Sequence, residues 1–239
     1  IRILTRRPEA ARSAFGPGPE IVAGHFDDPA SLAKAVAGAL RILLLSPIDS
    51  RLAEHQIAVI EAAEAAGVKR IVKISGSDWT YGPEGTFSGH AHQRIEDRLA
   101  ASSIPGVAIR PNAWMQTSLA SVAAAAAKGE PLYAPHTARI GYVDARDIRD
   151  VAPTTAELAG YVSSILGRTI GTTDVPPGEA VRHDNKFEAG IVNQFLVLIA
   201  AGRAAPLTDT VRRLLQRPAR RPEALLAELL EAGQPATAA

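Results

Sequence analysis

The sequence predicts an α/β fold: a doubly wound, mainly parallel sheet covered by helices on both faces, followed by a smaller, mainly helical C-terminal cap. Three observations predict it. Short β-branched or leucine-rich runs alternate with helical stretches through roughly two thirds of the chain, the rhythm of parallel crossovers. The stretches between them carry apolar residues at helical spacing, with recognisable starts and stops. Past Pro153 the helical pattern continues without the strand-like runs.

The predicted strands are Ile1–Thr5, Ile21–Ala23, Arg41–Ser46, Arg70–Ser75, Val107–Arg110 and Ile140–Val143. After the second, Asp28-Pro-Ala-Ser-Leu opens a helix with Leu32, Ala35, Val36 and Leu40 on one face. Pro29 sits in its first turn, where a missing N–H costs nothing. Leu52–Ala66 repeats the pattern with Ala53, Ile57, Ile60 and Ala63, and Gly67 supplies the stop before Val68-Lys-Arg-Ile-Val-Lys-Ile-Ser75. His92–Ser103, with Ile95 and Leu99 on one face, leads through Ile104-Pro-Gly106 into the next strand. A ligand of such a sheet sits outside the carboxyl ends of its strands. Further on, helices are expected at Thr155–Leu166, Ala189–Ala201, Thr208–Leu215 and Pro222–Leu230, with a break at Pro176-Pro177 and a mobile end from Gln234. Two regions follow from this reading: residues 1–152 hold the parallel sheet, and residues 153–239 form the helical cap.

Composition narrows the function. With 46% hydrophobic and 21% charged residues in 239, the chain is that of an ordinary globular protein. Its 26 basic and 25 acidic residues nearly cancel, so no global field recruits nucleic acid or an anionic membrane, and a small-molecule partner is expected. The absence of cysteine excludes disulfides, thiolate catalysis and cysteine-ligated metals, and fits a cytoplasmic protein. The longest largely apolar runs, Ala120–Ala127 and Phe195–Ala201, fall far short of the roughly 20 residues of a membrane span. The histidines show no metal-binding spacing, so no metal is expected.

The ordered set of Ile3-Leu-Thr-Arg-Arg-Pro8, Gly24-His-Phe-Asp-Asp-Pro-Ala-Ser-Leu32, Leu43-Leu-Leu-Ser-Pro47, Ala62-Ala-Glu-Ala-Ala-Gly-Val-Lys-Arg-Ile-Val-Lys-Ile-Ser-Gly76, His92-Gln-Arg-Ile-Glu96, Arg110-Pro-Asn-Ala-Trp-Met-Gln116 and Tyr142-Val-Asp-Ala-Arg-Asp-Ile148 carries a resemblance. It resembles the NmrA-like branch of the atypical short-chain dehydrogenase/reductases, whose members bind NAD(P) in a Rossmann domain. Many of them reduce carbonyls, quinones, azo compounds or conjugated substrates. Others sense the redox state of the dinucleotide without catalysis, and under that alternative a regulator protein is the partner. The resemblance also implies a first strand with a Gly-x-x-Gly-x-x-Gly turn ahead of Ile1, central in a 3-2-1-4-5 order, and roughly 25 further residues between Ala152 and Pro153. Neither is among these residues, and the chain is therefore expected to be part of a larger molecule.

The resemblance implies roles residue by residue. Thr5, Arg6 and Arg7 leave the strand that ends beside the adenosine ribose, and a guanidinium there pairs with a 2′-phosphate, favouring NADP(H) over NAD(H). Asp27 either accepts from the adenine amine or, with Asp28, caps the following helix. Leu45, Ser46 and Pro47 pass along the nicotinamide ribose, and Asn112 belongs to the loop lining the nicotinamide pocket. Ser75 polarises a substrate carbonyl. His92, in place of a lysine carried by related reductases, is the acid/base candidate and also reaches the cofactor. Glu96, four residues on, orients its ring. Trp114 and Met115 are either walls of a substrate pocket or core. Asp144 and Asp147 are structural.

Overall fold

The structure, a computed structural model, describes residues 1–133, 138–144, 150–151, 153–173, 185–207, 216 and 220–233. The chain divides into two compact units, Ile1–Gly76 with Ser88–Arg110, and Ser77–Phe87 with Pro111–Ala239. This division follows compactness, whereas the boundary read at Ala152/Pro153 follows the binding motifs.

In the first unit the order is β1 (Arg2–Thr5), α1 (Pro8–Phe15), β2 (Glu20–Ala23), α2 (Pro29–Val36), β3 (Arg41–Leu44), α3 (Leu52–Ala65), β4 (Arg70–Ile74), α4 (Phe87–Ala100) and β5 (Gly106–Ile109). All ladders here are parallel. β1 pairs with β2, and β4 lies between β3 and β5. No ladder joins β1 to β3 among the described residues, so the unit carries two sheets whose β1 and β3 edges meet no partner strand. One core nevertheless spans them: Leu4 of β1 packs against a cluster containing Leu32, Val36, Leu44, Ile60, Ile71, Ile95 and Leu99.

Local chemistry explains these elements. Asp28 accepts from the Ala30 N–H at 3.0 Å and caps α2. Gly67 closes α3 at φ +69°, a backbone that an L side chain resists, and its N–H donates to the Glu64 carbonyl. Gly24 has a different reason: a Cβ there would stand 2.4 Å from the Ser31 Cβ, so the close approach of α2 to the end of β2 requires its absence.

The second unit contains a 3₁₀ turn (Asp78–Thr80), β6 (Ala113–Trp114), α5 (Met115–Lys128), β7 (Leu132–Tyr133), β8 (Tyr142–Val143), β9 (Asp150–Val151), α6 (Thr155–Leu166), β10 (Thr172–Thr173), α7 (Lys186–Ala200) and α8 (Pro222–Gly233). β8 runs parallel to β6 and antiparallel to β9, and β7 pairs with β10. Two expectations are corrected here. The run Ile140–Val143 belongs to this small mixed sheet and not to the sheet of β4. The residues past Pro153 are not helical throughout, since β10 is a short strand. The helix expected at Thr208–Leu215 and the end from Gln234 lie outside the described residues, as does Asp147. Among the described residues no helix is long and apolar enough to cross a membrane.

Candidate active site

The parallel ladders of the first unit bring the ends of β1, β2, β3, β4 and β5 to bear the residues singled out from the sequence. At the end of β1 the Thr5 hydroxyl accepts from the Arg7 N–H at 3.1 Å. Arg6 and Arg7 are both exposed, and neither guanidinium has an ion-pair partner among the described residues. The turn after β2 is tied by Ser31, whose Oγ accepts from the His25 N–H at 3.2 Å and donates to the His25 and Asp28 carbonyls at 3.0 Å. Asp28 is the helix cap. Asp27 instead accepts from Arg51 and lies 3.2 Å from His55 Nε2, so its carboxylate is engaged by α3 and its N-terminal turn. After β3, Leu45 is exposed and the Ser46 Oγ accepts from the buried Gln56 at 3.0 Å while donating to the Pro47 carbonyl.

The charged centre of the unit lies between β4 and α4. On β4, residues 71, 73 and 75 share the inward phase of the strand. Ile71 is an ordinary core residue, but the same phase buries Lys73 completely, with 0% of its surface exposed. Lysine is almost never buried this deeply unless paired. Its partner comes from α4, where Ala91, His92, Ile95 and Leu99 form the inward stripe. Lys73 Nζ lies 2.9 Å from His92 Nδ1 and also donates to the Ile74 carbonyl at 3.2 Å. Next to this pair, Ser75 donates its hydroxyl to Glu96 at 2.5 Å, and its N–H bonds the Ile109 carbonyl. Arg110, at the end of β5, holds the other side of Glu96 through Nε and Nη2.

Electrostatics follows from this packing. Burial lowers the His92 pKa to about 4; the Lys73 charge pushes the same way, and the Glu96 charge opposes both. Burial lowers Lys73 to about 8, again opposed by Glu96. At neutral pH the ring is therefore neutral and the amine is charged. An ammonium has only donors, so Nδ1 is the acceptor in this contact.

The structure thus brings Ser75, His92 and Glu96 together. The bonds of Glu96 to Ser75 and Arg110, and of the ring to Lys73, differ from the expected carboxylate-and-ring partnership. Burial beside an ammonium places His92, the acid/base candidate, well below the ordinary histidine range, so the ring is neutral near pH 7. Lys73 was missed by sequence reasoning. The signal available was its phase, a lysine two residues from Ile71 and two from Ser75 in a strand whose alternate positions face the core.

Asn112, Trp114 and Met115 belong to the second unit. Asn112 Oδ1 accepts from the Trp79 indole N–H at 3.0 Å, and its amide donates to the Pro206 carbonyl at 3.4 Å. Trp79 also meets Phe195 edge-on, with centroids 5.6 Å apart. Trp114 is half-buried, whereas Met115 is completely buried beside Leu119, Leu158 and Leu226, which makes it core. Asp144 is fully buried and accepts from Gln116 at 2.8 Å, in keeping with a structural role.

Crossover helices on parallel strands, with polar groups gathered at the strand ends, define a dinucleotide-binding α/β protein. The chain belongs to the NAD(P)H-binding family, whose model matches residues 1–141. It is 26% identical to the (4-alkanoyl-5-oxo-2,5-dihydrofuran-3-yl)methyl phosphate reductase of Streptomyces griseus and 25% identical to the NAD(P)H azoreductase of Xenophilus azovorans. Each alignment covers 92% of this chain and 86% of the relative. Among solved structures, the NADPH complex of the Escherichia coli NADPH-dependent quinone oxidoreductase superposes with a TM-score of 0.83 at 22% identity, covering 96% of this chain and 90% of that one. NmrA, a negative transcriptional regulator solved with NADP, gives 0.77 at 13% identity over 97% of this chain and 88% of its own. These likenesses show a fold shared with that quinone oxidoreductase and with NmrA.

Proposed function

We propose that the chain is an NAD(P)H-dependent oxidoreductase that reduces a small carbonyl, quinone or similarly conjugated molecule. The observation that carries this reading is the buried Lys73–His92 pair beside Ser75 and Glu96, at the carboxyl end of β4 in a domain of the NAD(P)H-binding family. A charge buried this completely is expensive to keep in a fold and is characteristic of functional sites. The reductase and azoreductase activities named for the relatives support the same class.

The donor set at the strand ends fits a dinucleotide. Arg6 and Arg7 offer two exposed guanidiniums without ion-pair partners at the end of β1, suited to a ribose 2′-phosphate, and this is the ground for preferring NADP(H) to NAD(H). Leu45, Ser46 and Pro47 form the stretch assigned to the nicotinamide ribose. Arg51 and His55 both meet Oδ1 of Asp27, and the adenine amine is assigned to its Oδ2. When bound, the nicotinamide supplies a hydride, and the chain's own task is to bind, orient and protonate. His92 acts as a neutral ring that donates through Nε2, as neutral imidazoles do when they polarise a carbonyl oxygen. The Ser75 proton goes to Glu96, which is in turn held by Arg110, so polarising the substrate carbonyl, expected of Ser75, is assigned to His92 instead. Asn112 keeps its assignment to the nicotinamide pocket, and Trp114 its assignment to the substrate.

Thermal-shift titration with NADPH, NADP+, NADH and NAD+, followed by turnover assays with a quinone, an azo dye and a ketone, tests the reading, because a ligand stabilises the fold by mass action. The expected result is binding together with turnover of at least one substrate class. Tight binding of oxidised and reduced dinucleotide alike, with no turnover of any class, would overturn it in favour of a redox sensor acting on a regulator protein.

A further inference from the structure

We propose that Lys73 is a positioning residue that locks His92 as its Nε2–H tautomer and refills the ring from the buried side with each proton it gives up. The tautomer follows from the contact together with the ammonium form of Lys73; the relay rests on the reductase reading for the place where the proton goes.

The contact is directional. Lys73 Nζ stands 2.9 Å from His92 Nδ1, and as an ammonium it can only donate. Nδ1 must then present its lone pair, and the one ring proton sits on Nε2. Neither side chain has freedom to escape this arrangement, since Lys73 is completely buried in the central strand of its sheet and His92 is 7% exposed. The backbone of Lys73 is pinned in register between Leu44 and Ala108. The charged groups around the pair are Lys73 itself on β4, Glu96 on α4 and Arg110 at the end of β5, and Arg110 offsets the carboxylate it holds.

This arrangement resolves a chemical difficulty. With a pKa of about 4, His92 holds no imidazolium at neutral pH to act as an ordinary acid. A neutral imidazole that simply lost its Nε2 proton would become an imidazolate, a strong base, so on its own the neutral ring is a very weak acid. If a proton reaches Nδ1 as the Nε2 proton departs, the ring stays neutral throughout. The balance is complete. A bound NAD(P)H would supply the hydride, and His92 gives its Nε2 proton to the oxygen or nitrogen of the substrate anion so formed. Lys73 Nζ passes one proton to Nδ1 and becomes a neutral amine. Nδ1 then returns its proton to Nζ as solvent delivers one to Nε2, so the ring again carries a single proton at every stage and the net proton comes from solvent. Burial, which brings Lys73 to about 8, makes the amine cheap to form.

The test is nitrogen NMR of histidine-labelled protein, with His92 assigned by the resonance lost in His92→Gln. Wild type is expected to show an unprotonated Nδ1 and a protonated Nε2 at pH 7, with the ring still neutral at pH 5.5. Lys73→Met, of similar length and suited to a buried site, is expected to raise the His92 pKa and mix its tautomers. It should also lower kcat by roughly 10²-fold or more and abolish the fall in kcat that is expected of wild type above about pH 8. An Nδ1–H tautomer in wild type, or a pKa and tautomer unchanged in Lys73→Met, would overturn the proposal. The wild-type spectrum decides the tautomer even if Lys73→Met does not fold. Absence of turnover in wild type would sink the reductase reading and the relay with it, while the spectrum still decides the lock.

Discussion

The Arg110 guanidinium grips the Glu96 carboxylate with Nη2 2.5 Å from Oε2 and Nε 3.1 Å from both oxygens. The Glu96 side chain is only 14% exposed, so it depends on this partner more than a surface carboxylate would. Arg110→Ala is therefore expected to destabilise the protein by about 1–3 kcal/mol, read as a lower urea midpoint. Arg110→Lys should recover part of the loss, because an ammonium cannot reproduce the two-point geometry. An unchanged midpoint in both variants would show that the pair contributes nothing.

Cofactor choice is tested at the end of β1. Replacing Arg6 and Arg7 together with Ala is expected to weaken NADPH by about 2 kcal/mol, roughly 30-fold, and to leave NADH almost unaffected. Calorimetric titration of both dinucleotides against both proteins measures it. Equal losses would mean that the arginines support the turn and not the phosphate.

His92→Ala should reduce turnover by about 10²- to 10⁴-fold while dinucleotide affinity changes little, separating chemistry from binding. Steady-state kinetics alongside dinucleotide titration gives both numbers. Normal turnover from pH 5 to 9 would reduce α4 to scaffold.

His92 also makes stability depend on pH. Its folded pKa of about 4 lies below the ordinary 6.5, so between these values the unfolded chain binds a proton that the folded one refuses. Stability is full above about pH 6.5 and falls as pH drops toward 4, by up to about 3 kcal/mol from this group. Carboxylates titrate in the same window, so the comparison is with His92→Gln. That variant is expected to show a shallower acid loss in urea melts, and parallel curves would contradict the burial argument.

Helix α6 was legible almost to the residue, because its ends are written in side chains. Thr154 and Glu157 form a reciprocal capping box, and Gly167 takes the left-handed conformation at the far end. Thr154→Ala is expected to cost about 1 kcal/mol in a thermal melt, and no loss would mean that packing alone sets the helix start.

Other elements carried weaker signals. Helix α5 was not read, because its run of alanines offers no contrast between faces; its buried residues Met115, Leu119, Ala123 and Ala126 are recognised only once the helix is known. Helix α1 was missed as well: it is eight residues long and buries Ala11 alone. At the site, Ser75, His92 and Glu96 were visible as residue types in a familiar order. Their bonding was not, since it depends on Lys73 and Arg110, which reach the group from separate strands. A lysine in a strand reads as a solvated edge until its phase is compared with Ile71.

Both tryptophans of the chain, Trp79 and Trp114, fall in the second unit, and the first has none. Intrinsic fluorescence therefore reports on only one of the two compact parts, with Trp79 reporting the Asn112 bond and the Phe195 ring. Circular dichroism draws its signal from the helices of both. Superimposed melting curves from the two probes would mark the units as one cooperative body, and a fluorescence transition displaced from the dichroism curve would mean that they come apart separately.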